Sequence, residues 1–168
     1  FLAFFWSSLL FAESGGGWVS GGGDPLRFYF DEGKTIALNM IEKFDSKNLE
    51  PQQYADGAAW ILLHQASLNE DLLRSQTEWT SSSQPTCGFT QFTPSAPVLF
   101  SAPSCRSISS SAEAARMWIH ESVHHFGERD ENLADHVALA ASTAWENQKL
   151  KTVPLCSKSD PNYRSFLG

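Results

Sequence analysis

A small α+β domain, mostly helical, with a short β-hairpin or sheet ahead of one key helix, is the fold class this sequence predicts. Three observations predict it. Four stretches carry apolar residues at helical spacing; residues 77–109 are instead rich in Pro, Thr and Ser with short strand-like runs; and 168 residues is the size of one domain with enough apolar content for a modest core.

The chain opens on an apolar run, Phe1 to Ala12, too short to span a bilayer and followed by Glu13-Ser14 and a glycine-rich stretch. It reads as the hydrophobic region of a secretory signal, so residues 1–14 are expected to be a signal peptide with a truncated start, cleaved after Ala12 or Ser14. Residues 15–24 form a Gly-rich linker, lacking the preceding strand and following Lys of a phosphate-binding loop. The domain itself is expected over residues 25–150, with a loop-like tail at 151–168.

Within it, Ile36, Ala37, Met40, Ile41 and Phe44 predict a helix over 25–44, and Ala58, Ile61, Leu62, Leu68 and Leu72 another over 54–74. Between 77 and 109 the strand-like runs are Phe89–Phe92 and Val98–Phe100, the latter expected as an edge strand. Cys87 and Cys105 bracket this excursion and are candidates for a disulfide; Cys156 is an alternative partner for either, because spacing does not determine connectivity. Ser110 and Glu113 then form an S-x-x-E capping box, residues 112–126 contain no Gly or Pro, and Gly127 stands where a left-handed helix stop belongs. A last helix follows from Leu133, Val137, Ala140, Ala141, Ala144 and Trp145, reaching about Gln148.

The third helix carries His120-Glu121-Ser122-Val123-His124, continued through Gly127 to Asp130 as H-E-x-x-H-x-x-G-x-x-D. Residues four apart lie one turn above each other, so His120 and His124 can direct imidazole nitrogens at one cation. Glu121 borders the same point, where a carboxylate can take a proton from a water acidified by zinc. His125 lies about a hundred degrees around the helix from His124 and is expected to be exposed or to support the ligands from behind. His64 and His136 have no partner at metal spacing.

In these residues the chain resembles the zincin metallopeptidases, and the glycine and aspartate resemble the extended metzincin signature. The resemblance implies a zincin-like fold, zinc as cofactor, His120 and His124 as ligands, Glu121 as general base, Gly127 as a chain reversal and Asp130 as third ligand. The methionine turn of metzincins has no counterpart, since Met40 and Met117 both precede the site. Glu131-Asn132-Leu133-Ala134-Asp135 is similar to the E-x-x-A-D element of gluzincins, which implies Glu131 as the alternative third ligand and Asp135 as the residue orienting a ligand histidine. Only six residues separate His124 from Glu131, shorter than in gluzincins, and Asp130 is the favoured ligand.

The expected function is therefore that of an exported zinc metallopeptidase, a hydrolase acting on peptide or protein substrates and located outside the cell or in a bacterial periplasm. The alternative is a non-catalytic secreted protein with a structural zinc site or a partner-binding surface, which the six Trp and twelve Phe would serve. A net charge of −7 without any Lys/Arg cluster argues against nucleic acid, and no stable membrane insertion is expected.

Overall fold

The computed structural model describes residues 24–50 and 52–152. The expected signal peptide, most of the expected linker and nearly all of the expected tail, including Cys156, lie outside the described residues. Asp24 caps the first helix by accepting Leu26 N–H at 3.1 Å, and Pro25 takes the first helical position, so α1 runs over Pro25–Glu42. After a 3₁₀ turn at Ser46–Asn48, α2 spans Ala55–Arg74, entered through a left-handed Tyr54 (φ +50°) with no side-chain cap.

Three short strands follow: β1 (Thr77–Thr80), β2 (Gly88–Phe89) and β3 (Val98–Ser101). Their order is β1-β3-β2, with β1 parallel and β2 antiparallel to β3. This corrects the expected edge role of Val98–Phe100. Val98 and Phe100 are fully buried and β3 pairs on both sides, which leaves β1 and two-residue β2 as the edges. Strand β1 has no apolar alternation beyond Trp79 and so carries no strand signal in the sequence. Cys87 and Cys105 form the disulfide that ties the start of β2 to the 3₁₀ turn at Ser104–Ser107.

Helix α3 (Ser111–His124) starts on Ser110, whose Oγ accepts Glu113 N–H at 3.3 Å. The return half of the box is shifted by one residue: the Glu113 carboxylate accepts from the backbone N–H and hydroxyl of Ser109. Gly127, at φ +82°, turns the chain into α4 (Glu131–Thr152), which passes the expected end of the domain by two residues.

Helix α1 packs on α3 and α2 on α4, with α3 and α4 also in contact. Two glycines set those approaches. A Cβ on Gly33 would stand 2.8 Å from Ala114 Cβ, and one on Gly57 would stand 2.4 Å from the His136 backbone. The centre of the core joins helices to sheet: Phe100 lies 4.2 Å from Phe30 and 5.2 Å from Trp118 between ring centroids, and Trp118 Nε1–H donates to Phe30 O at 3.0 Å. The described residues thus form a small α+β domain of four helices and a three-stranded sheet. None of these helices is long and apolar enough to cross a membrane.

Candidate metal centre

The helix-borne spacing converges two histidines as expected. His120 Nε2 and His124 Nε2 are 3.2 Å apart, and the Glu131 carboxylate reaches 3.1 Å from the first and 3.6 Å from the second. One ligand atom from each of the three residues falls within 4.8 Å of the others.

The other ring nitrogens are engaged behind the site. His120 Nδ1 is 2.9 Å from Asp135 Oδ1, and His124 Nδ1 is 2.8 Å from Glu128 O. Both partners are acceptors, so both Nδ1 atoms donate, which in a neutral imidazole leaves a lone pair on Nε2. Two lone pairs facing each other at 3.2 Å repel unless a proton or a cation lies between them. Two imidazoles, a carboxylate and fixed tautomers are a donor set that fits zinc.

Asp130, the favoured third ligand, is not part of this group. Its Oδ1 accepts Asn132 N–H at 2.9 Å and Leu133 N–H at 3.4 Å, so it caps α4 and Glu131 faces the histidines in its place. Asp135 stands behind His120 as expected. His125 does neither of the things expected of it: it is 1% exposed and its hydrogen bonds lead away from the cluster, to Asp71 (2.6 Å) and Thr90 (2.6 Å). His64 binds Trp60 O and stacks on that ring, and His136 pairs with Asp56.

Glu121 is 4% exposed, with β2 pressed against it; a Cβ on Gly88 would stand 2.7 Å from its Oε1. Burial, with the charge of Glu131 adding to it, pushes the Glu121 carboxyl up to about 8. The cluster opens on a cleft of about 320 Å³ whose walls include Gly88, Phe89, Phe92 and Met117 beside His120, Glu121 and His124. Phe92 meets the His124 ring edge-on at 5.9 Å. Nothing local in the sequence distinguished Gly88, Thr90 or Phe92, because their place depends on how residues 77–109 fold over α3.

Set against known proteins, the chain matches no family model, no curated protein and no solved structure.

Proposed function

We propose that the protein is a zinc-dependent hydrolase that cleaves peptide bonds. The observation that carries this reading is the pair of Nε2 atoms converging at 3.2 Å with Glu131, beside the buried Glu121 side chain in an open cleft. His120, His124 and Glu131 would hold the ion, and Asp135 and the Glu128 carbonyl orient the two imidazoles. A bound zinc supplies Lewis acidity to a water and to the scissile carbonyl.

Glu121 does the proton work. Its carboxyl is costly to ionise while buried beside Glu131, and a dication nearby would offset that cost and favour the carboxylate, the form that can take a proton from water. The water oxygen adds to the carbonyl carbon, and Glu121 then delivers its proton to the amide nitrogen as the C–N bond breaks. A closed structural site would recruit a fourth protein ligand and has no use for such a base; among the described residues the group holds three. The Cys87–Cys105 disulfide supports export to an oxidising compartment.

Glu121→Gln tests the assignment. It should retain one zinc per chain yet lower turnover of a quenched peptide library by about 10²- to 10⁴-fold, the range general acid–base catalysis supplies. Retained hydrolysis in that variant would remove Glu121 from the role.

A further inference from the structure

Two large apolar side chains in the cleft wall stay in water: Phe89 is 39% exposed and Phe92 49%. An exposed apolar patch next to a reactive cluster is a surface for a ligand. Phe92 also has two partners at its ring. Its ring is braced edge-on by His124, and the Arg129 guanidinium sits 5.1 Å over it.

The segment that carries Phe92 is fastened from beneath by one carboxylate. Asp71, 3% exposed near the end of α2, accepts Ser95 N–H at 2.5 Å through Oδ1 and bonds His125 Nδ1 at 2.6 Å through Oδ2. His125 Nε2 in turn meets Thr90 Oγ1 at 2.6 Å. Residues 90 and 95 are thereby tied to the same buried group, and the exposed connection between them, residues 91–94, carries Phe92. Ser95 takes the left-handed region at φ +60°, a conformation unfavourable for serine that the bond to Asp71 helps hold.

We propose that Phe92 is the specificity-determining residue of the cleft, selecting substrates with a large apolar side chain beside the scissile bond, and that Asp71, His125 and Thr90 are its positioning residues. This rests on the peptidase reading above. A pre-fixed aromatic wall gains contact area with an apolar side chain without the entropy of ordering the loop, whereas Ser or Asp in that place forfeits the contact.

The test uses the zinc-loaded chain and two quenched peptides, identical except for Leu or Ser beside the scissile bond, chosen from cleavage sites in a peptide library. The wild type should prefer the Leu peptide by about tenfold or more in kcat/KM. Phe92→Ala should collapse that ratio by raising KM for the Leu peptide. Thr90→Val should raise the same KM with kcat and zinc content retained, and Thr90→Ser should restore it; a merely structural defect would move melting temperature and zinc content together. Cleavage without apolar preference, or a ratio that survives Phe92→Ala, overturns this inference and leaves the hydrolase standing. A zinc-loaded wild type that cleaves no peptide in the library brings down both.

Discussion

Asp130 and Glu131 are neighbours of like charge, and the start of α4 assigns them different tasks. The shorter Asp130 side chain folds back onto the first free N–H groups of the helix, while the longer Glu131 reaches across to α3. Asp130→Ala should therefore cost about 1 kcal/mol of stability in urea melts and leave zinc content unchanged. Glu131→Gln should do the reverse, losing zinc to a competing chromophoric chelator with little loss of fold. Asp135→Asn, which keeps shape but weakens the acceptor behind His120 Nδ1, should lower zinc affinity by about 10- to 100-fold. Zinc retention in Glu131→Gln together with its loss in Asp130→Ala would reinstate the aspartate. The two histidines and Glu121 were legible because a helix places i and i+4 by itself. The choice between adjacent acids was not, since it depends on the residue at which the next helix begins. The place of His125 is not legible for a related reason: helical angle sets where a ring points, and only the packing of α2 and residues 90–97 around it makes that direction interior.

Among the elements, the helices and the strand at Val98–Phe100 were readable, whereas strand β1 and the order of pairing were not. The apolar spacing of α1, α2 and α4 survives in a linear reading, but β3 is central only because Thr77–Thr80 returns to pair with it, and such a pairing leaves no local trace. Where elements meet, Gly57 offers a measurement in which two effects oppose. By helix propensity alone, Ala in place of Gly in the first turn of α2 should stabilise by at most about 1 kcal/mol. The added Cβ would stand 2.4 Å from the backbone of His136, however, and backbone cannot rotate aside as a side chain can. Steric cost decides the sign. Gly57→Ala should destabilise by about 2 kcal/mol or more as α2 and α4 are forced apart, and a variant at least as stable as wild type would show that the helices can slide.

For the whole molecule, the proposed metal ligands lie on the seam between two helix pairs. His120 and His124 belong to α3, which packs on α1; Glu131 and Asp135 belong to α4, which packs on α2. An ion gripping both sides binds the folded arrangement far better than an unfolded chain, so zinc binding must appear as folding stability. At free zinc one hundred times the dissociation constant the increment is about 2.7 kcal/mol. In a domain of this size that raises the melting temperature by roughly 5 to 10 °C. Protons compete for the same atoms: two imidazoles must be neutral and one carboxylate ionised before the ion can be held. Both histidines bind zinc only after losing the proton they carry when cationic, so the increment should shrink as the solution is acidified. Calorimetry at pH 7.5 and at pH 5, each with zinc and with chelator, checks this. His120→Ala should melt at one temperature with or without zinc. An increment of the same size at both pH values, or one that persists in His120→Ala, would mean that zinc acts somewhere other than this seam.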